Sequence, residues 1–196
     1  MKIAVIGWGS LIWDPRTLAR SGRWHEAGPH LPIEFVRISK DGRLTLAIHP
    51  PSKEQRTYWV LSALDTVEAA RNDLALREVT TVDNVGSAFR DEVRCGEDAI
   101  EVAVRRWLGG HSDLEAAIWT GLPFTLEGPD VVAQAVAYLT SLTLGSAVYD
   151  RAREYVTNAP PQIQTAVRRE MQDRQWRDVE LPADLFAEPR RRSIER

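Results

Sequence analysis

The chain begins with the segment Lys2-Ile3-Ala4-Val5-Ile6-Gly7-Trp8-Gly9-Ser10-Leu11-Ile12-Trp13-Asp14-Pro15. Its first residues, 2–6, are mostly apolar and β-branched, which predicts a buried β-strand. The two glycines that follow end the strand and leave bare backbone N–H groups at its tip, where such groups can bind an anion. Asp14-Pro15 then predicts that no helix starts straight after this loop.

Further strands are predicted where apolar and β-branched residues cluster between turn signals, at 33–38, 44–48, 58–61 and 116–120. The dipeptide Asp41-Gly42 joins the first two of these strands as a hairpin. Apolar residues at helical spacing predict helices over 65–78, 98–108, 131–144, 149–156 and 163–171.

The first predicted helix has recognisable ends. Asp65, with Glu68 three residues later, has the spacing of a capping box, so Asp65 is its predicted N-cap. The helix should end near Arg77-Glu78, before the β-branched residues 79–82. Strands therefore come first and helices last. This order favours an α+β fold, a small mixed β-barrel or sheet flanked by helices with a helical C-terminal region.

Size and composition indicate one globular domain, since the chain has 196 residues, 43% of them hydrophobic and 27% charged. We expect the domain to span 1–187 and a charged tail to follow over 188–196. No run of about 18 apolar residues is present, so no membrane partner is expected. The formal charge of −3 argues against a nucleic-acid partner. Cys95 is the only cysteine, which excludes an internal disulfide, favours a cytoplasmic location and predicts a structural role for this residue.

The glycine-containing loop admits several chemistries, most of which lack a necessary part. Gly7 and Gly9 begin a dinucleotide-binding fingerprint, but Ile12 stands in place of its third glycine and Pro15 interrupts the helix that should receive the pyrophosphate. Ser10 is a poor nucleophile because no histidine follows it in a triad context. The four histidines lack the spacing of metal ligands, so no metal or cofactor is expected; they are His25, His30, His49 and His111.

A family resemblance gives a more specific interpretation. The loop 7–15 resembles the glycine-tyrosine-glycine-serine-leucine loop of the gamma-glutamylcyclotransferase superfamily, nearest to the branch related to the cation-transport regulator ChaC. The segment Ala75-Leu76-Arg77-Glu78 resembles the part of that family that carries its acidic catalytic residue. Residues 153–156, 159–160 and 163–165 resemble its C-terminal helical region. The similarity runs from the first strand to about residue 170.

The resemblance implies an enzyme, a lyase or acyltransferase of glutathione metabolism, that needs no cofactor. Such enzymes cleave a gamma-glutamyl amide by attack of the substrate's own alpha-amine and release 5-oxoproline. It implies that Glu78 is the catalytic acid and base, and that the substrate-binding residues are Gly7, Trp8, Gly9, Ser10, Leu11, Ile12 and Tyr155. Two departures stand out: Trp8 replaces the family's tyrosine, and residues 79–81 replace its glycine and tyrosine after the acidic residue.

The same residues also allow other interpretations of Glu78, of the whole chain and of the substrate. Glu78 could be a solvated carboxylate at a helix end, paired with Arg77 or Arg71, and the chain could be a non-catalytic module that binds a small carboxylate or a peptide end. Arg37, Arg43 and Arg56 could hold a second carboxylate of a substrate. The leaving group could belong to glutathione, a gamma-glutamyl amino acid, a gamma-glutamyl amine or a lysine isopeptide. The oligomeric state is equally open.

Overall fold

The computed structural model describes residues 1–92, 98–176 and 181–186. The expectations for Cys95 and for the charged tail 188–196 fall outside these residues. The described strands are β1 (Ile3–Gly7), β2 (Arg20–His25), β3 (His30–Ile38), β4 (Leu44–Ile48), β5 (Glu54–Arg56), β6 (Tyr58–Ser62), β7 (Val85–Phe89) and β8 (Ala116–Thr120). The described helices are α1 (Ser10–Trp13), α2 (Val67–Glu78), α3 (Ala99–Gly109), α4 (Val131–Ser141), α5 (Ala147–Thr157) and α6 (Ala166–Asp173).

The opening strand lies at the centre of a five-stranded mixed sheet of order β2-β6-β1-β8-β7. All five residues of β1 are buried, because the strand has a neighbour on each side and packed layers on both faces. It runs antiparallel to β6, with Gly7 opposite Tyr58, and parallel to β8, with Ile3 opposite Ala116. Helix α2 packs against β7 and β8, and α3 packs against β7.

A second sheet, of order β4-β3-β5, holds the predicted hairpin. Gly42 lies in its turn with φ at +79°, a left-handed conformation that glycine adopts without strain. The Tyr138 hydroxyl of α4 donates a hydrogen bond to the Gly42 carbonyl, and Val148 of α5 packs close to the same glycine. The C-terminal helices therefore hold the tip of the hairpin in place.

The α+β class is confirmed, and so is a mixed sheet, but the described strands form two open sheets and no closed barrel. Strands β2 and β7 lie at opposite edges of the larger sheet, and neither pairs with a strand of the smaller one. Apart from the one-turn α1, the strands-first order holds for β1 to β6 and for the C-terminal helices α4 to α6, but β7 and β8 alternate with α2 and α3. No helix in the described part of the chain is long and apolar enough to cross a bilayer.

Helix α2 ends at Glu78, the predicted catalytic residue. Its N-cap is Thr66, and the capping prediction for Asp65 is wrong. The Thr66 Oγ1 accepts a hydrogen bond of 3.2 Å from the Ala69 amide, whereas Asp65 uses its backbone carbonyl to accept one from the chain's N-terminal amine. Ala70 and Leu74 of α2 are buried against the sheet.

These caps give a stability prediction. We expect Thr66→Ala to lower the free energy of unfolding by about 1 kcal/mol, since the Ala69 amide loses its acceptor. We expect Asp65→Ala to lower it by only about 0.3 kcal/mol, because it removes a favourable charge near the helix N-terminus and no cap. Urea unfolding of both variants measures the difference. A larger loss in Asp65→Ala would show that the cap has been assigned to the wrong residue.

Candidate active site

A cavity of about 270 Å³ opens where β1 ends. It is lined by segments that are far apart in the sequence. They are the end of β1 with the loop after it (6–11), the β3–β4 hairpin, the end of α2 with Val79, and Tyr155 of α5, together with Arg16, Thr120 and Leu122. The cavity is therefore formed by tertiary packing between both sheets and the C-terminal helices.

The glycines of the opening loop are required by their neighbours. A Cβ atom on Gly7 would lie 2.9 Å from the Trp24 ring, and one on Gly9 would lie 2.5 Å from the Tyr155 hydroxyl. In the described chain, no group accepts a hydrogen bond from the backbone N–H of Trp8 or Gly9. Two residues with unpaired backbone N–H groups therefore lie at the wall of the cavity.

Directly after Gly9 the chain forms one helical turn, α1, so the prediction of no helix at this point is wrong. The Asp14 amide donates to the Ser10 carbonyl at 2.8 Å, and the turn ends there, just before Pro15. Proline forbids continuation of the helix but permits a turn that finishes before it.

The end of α2 is a Schellman motif that turns the chain sharply after Glu78. The Thr80 amide donates to the Ala75 carbonyl at 3.0 Å, and the Val79 amide donates to the Leu76 carbonyl at 3.2 Å. The motif requires a left-handed residue, usually glycine, and here that residue is Val79, with φ 54° and ψ 50°. The same bonds fix the backbone of Glu78 at the wall of the cavity.

The Glu78 carboxylate is paired with a buried arginine. Its Oε1 accepts a 2.9 Å hydrogen bond from Nη1 of Arg77, and only 17% of the Glu78 side chain and 3% of the Arg77 side chain are exposed. Arg77 Nη2 donates to the Ser10 hydroxyl at 3.3 Å and to the Asp14 carbonyl. Within the described residues Oε2 of Glu78 has no partner, so one carboxylate oxygen is available to a ligand.

Tyr155 of α5 packs against the loop at Gly9 and also lines the cavity. Its ring packs edge to face against Trp13, with centroids 5.3 Å apart, and against Phe35 at 6.2 Å. Burial raises the pKa of its hydroxyl above the ordinary value of 10.0, and the nearby charge of Glu78 raises it further, against a lowering by hydrogen bonds from Ser10. The phenol is therefore neutral at physiological pH and can exchange hydrogen bonds with the loop.

Positive charge predominates around the cavity. Five basic residues line it, Arg16, Arg37, Lys40, Arg43 and Arg77, against two acidic ones, Asp41 and Glu78. Three of the five are paired: Arg16 with Asp14 at 3.1 Å, Arg43 with Asp41 at 2.8 Å, and Arg77 with Glu78. The side chains of the remaining two, Arg37 and Lys40, have no partner in the described part of the protein. The cavity is thus suited to a ligand that carries negative charge.

The structure brings together most of the residues predicted for the site. Gly7, Trp8, Gly9, Ser10, Leu11, Glu78 and Tyr155 all line this one cavity. Ile12 does not: its side chain is fully buried in the core, and its amide donates to the Gly9 carbonyl at 3.0 Å. Ile12 faces inward because it lies on the core side of the α1 turn, so its predicted place in the substrate site is corrected.

Of the three arginines predicted to hold a second carboxylate, two line the cavity and one does not. Arg37 and Arg43 line the cavity, whereas Arg56 is exposed on β5 and does not. Arg71, a possible partner of Glu78, instead donates to the carbonyls of Val82 and Val85. The role of Arg77 as a bridge to the loop was missed, because nothing in the sequence relates it to Ser10 and Asp14.

No cluster of three or more histidine, cysteine or carboxylate side chains that could hold a metal is found in the described chain. Comparison of the chain with models of known protein families, with curated proteins and with solved structures finds no match in any of the three.

The burial of Tyr155 predicts how stability depends on alkaline pH. Because the pKa of this phenol is raised on folding, the unfolded chain releases the proton first, and the free energy of unfolding falls as pH rises above about 10. Burial raises the pKa of Tyr58 in the same way. We expect Tyr155→Phe to reduce this alkaline loss without abolishing it. Urea unfolding between pH 8 and 11 measures it, and an unchanged slope in the variant would contradict the assignment.

Proposed function

We propose that this protein is an enzyme of the gamma-glutamylcyclotransferase type. The observation that carries the proposal is the shared cavity, in which the half-buried Glu78 carboxylate, the bare amides of the opening loop and Tyr155 meet. The resemblance of the loop and of the Glu78 segment to that family supports it from the sequence. A cytoplasmic setting belongs to the same proposal, since a single cysteine is typical of a reduced compartment.

The reaction is an internal acyl transfer. The substrate's alpha-amine nitrogen forms a bond to the carbonyl carbon of its own side-chain amide, the amide C–N bond breaks, and a five-membered ring, 5-oxoproline, is released with the free amine. Both reacting groups belong to one molecule, so holding the substrate folded supplies much of the rate enhancement. A cavity of about 270 Å³ is of a size to hold such a bent molecule.

A single carboxylate can act as both the general base and the general acid of this reaction. The substrate's ammonium must lose one proton before its nitrogen can attack, the attacking nitrogen loses a second as the ring closes, and the departing nitrogen must gain one. In our proposal the first proton goes to solvent, and Oε2 of Glu78, which has no partner among the described residues, takes the second and returns it to the leaving nitrogen. Arg77 holds the other oxygen and orients the carboxylate without touching the substrate.

The loop and the basic residues would hold the substrate's charges. The backbone N–H groups of Trp8 and Gly9 suit either the alpha-carboxylate or the oxyanion that develops on the attacked carbonyl. Arg37 and Lys40 lie on the hairpin side of the cavity and would attract an anionic substrate. The neutral Tyr155 hydroxyl would hold the loop in place through its hydrogen bonds with Ser10.

The two departures from the family pattern are compatible with this chemistry. Val79 adopts the left-handed conformation that glycine prefers, so the chain path after Glu78 is the one a glycine would give. Trp8 lines the cavity, is almost fully buried and keeps an aromatic side chain at this position. The departures therefore change the side chains at the wall of the cavity and leave the placement of Glu78 intact.

The decisive variant is Glu78→Gln. The amide keeps an oxygen for Arg77 but cannot accept the substrate's proton, so we expect release of 5-oxoproline to fall at least 1000-fold. The matched control is Glu68→Gln, at the exposed first turn of the same helix, which should keep wild-type activity. Release is measured on a panel of gamma-glutamyl peptides, amines and isopeptides. Full activity in Glu78→Gln would remove this residue from the mechanism.

The same panel distinguishes the second function considered from the sequence, a non-catalytic binding module. If the wild-type protein binds gamma-glutamyl compounds by calorimetry and releases no 5-oxoproline from any of them, the cavity is a binding site only. Comparable binding by Glu78→Gln would then show that binding does not depend on the carboxylate charge.

Arg37 gives a prediction about substrate affinity. Its guanidinium lines the cavity without a partner in the described chain, so we expect Arg37→Gln to raise KM for an anionic substrate about tenfold and to change kcat little. Arg56→Gln removes a similar charge from an exposed position outside the cavity and serves as the control. Equal KM values in the two variants would contradict a role for Arg37 in binding.

A further inference from the structure

Val79 is held in a backbone conformation that its side chain disfavours. A β-branched residue with φ 54° is strained, because its Cβ crowds the backbone in the left-handed region. The two Schellman hydrogen bonds, from Val79 and Thr80 to the last turn of α2, hold it there. Glycine would follow the same path without this cost. A valine at this position therefore lowers folding stability relative to a glycine.

Little of the described protein covers this valine. Val79 is 79% exposed, although it lines the cavity beside Glu78. Leu76, one turn earlier in α2, is 76% exposed. Leu122, which follows β8, also lines the cavity. We define Val79 and Leu122 as the apolar rim. The rim contrasts with the basic lining that Arg37 and Lys40 provide from the hairpin.

The position of the rim indicates which part of a substrate meets it. In the proposed mechanism Glu78 returns its proton to the leaving nitrogen, so the leaving group lies next to this carboxylate. Val79 is the next residue in the chain and stands at the cavity wall. A side chain on the leaving group is therefore the part of the substrate that can cover Val79.

We propose that Val79 is a specificity-determining residue that selects gamma-glutamyl amides whose leaving group carries an apolar side chain. This inference rests on the proposed cyclotransferase function and narrows its substrate class. Covering the exposed valine removes apolar surface from water, which favours such a leaving group over one without a side chain. Gamma-glutamyl-leucine and gamma-glutamyl-glycine differ only in this respect and are suitable probes.

The test compares the ratio of kcat/KM for these two dipeptides, with 5-oxoproline as the measured product. We expect the wild-type enzyme to favour gamma-glutamyl-leucine about tenfold. In Val79→Gly the ratio should fall to about two or less, while the thermal midpoint rises because the left-handed strain is relieved. Val79→Thr keeps the size and the β-branch but replaces one methyl group by a hydroxyl, and its ratio should lie between those of the other two proteins.

Gln175→Gly is the matched control. Gln175 also has a positive φ, 71°, but lies beyond the end of α6 and does not line the cavity. We expect this variant to gain thermal stability and to keep the wild-type ratio, which separates relief of strain from loss of the apolar contact. A wild-type ratio near one, or a ratio that Val79→Gly leaves unchanged, would overturn the inference.

Failure of the inference is distinguishable from failure of the proposed function. Release of 5-oxoproline from both dipeptides at similar rates keeps the cyclotransferase function and rejects the selectivity. No release from either dipeptide or from the wider panel rejects the function, and the selectivity with it.

Discussion

The buried guanidinium of Arg77 is the constraint around which the cavity is arranged. A cation with 3% of its side chain exposed is costly unless its hydrogen bonds are satisfied and its charge is balanced. Glu78 balances the charge and accepts from Nη1, and the Ser10 hydroxyl and the Asp14 carbonyl accept from Nη2, while the buried Nε has no partner among the described residues. The end of α2 and the loop after β1 are therefore held together by one side chain, although more than sixty residues separate them in the chain.

Close packing against its two glycines also holds the loop after β1 in place. Gly7 and Gly9 have no Cβ, and the space is taken by Trp24 from β2 and by Tyr155 from α5. The loop is thus packed from two sides, while the amides of Trp8 and Gly9, two residues that line the cavity, have no acceptor in the described chain. A loop fixed in this way loses little entropy when it binds a ligand, which is the advantage of a preorganised site.

The sequence predicts the parts of this structure that local chemistry specifies. Strand β1 is apolar throughout, the hairpin has Asp41-Gly42 at its turn, and β8 and α3 also follow their local patterns. Strand β2 has only Trp24 buried, and β7 contains a glycine and a serine, so neither shows the apolar alternation of a strand. These edge strands exist because their neighbours offer hydrogen bonds, which a local pattern does not record.

In the candidate site, too, some features are predicted from the sequence and others depend on tertiary packing. Its loop and Glu78 could be found from the sequence because a family resemblance marks them. The inward direction of Ile12, the bridging role of Arg77 and the exposure of Val79 depend on how distant segments pack. The choice between Asp65 and Thr66 as helix cap depends on a single residue of register, which spacing alone does not resolve.

The order in which the cavity's walls occur along the chain bears on its biosynthesis. Strand β1 pairs with β8, which is translated more than a hundred residues later. Tyr155, the last of the described residues in sequence order that lines the cavity, belongs to α5, which ends at Thr157. Such distant pairings form slowly. A growing polypeptide on the ribosome therefore has no complete cavity until the residues up to the end of α5 at Thr157 have been synthesised.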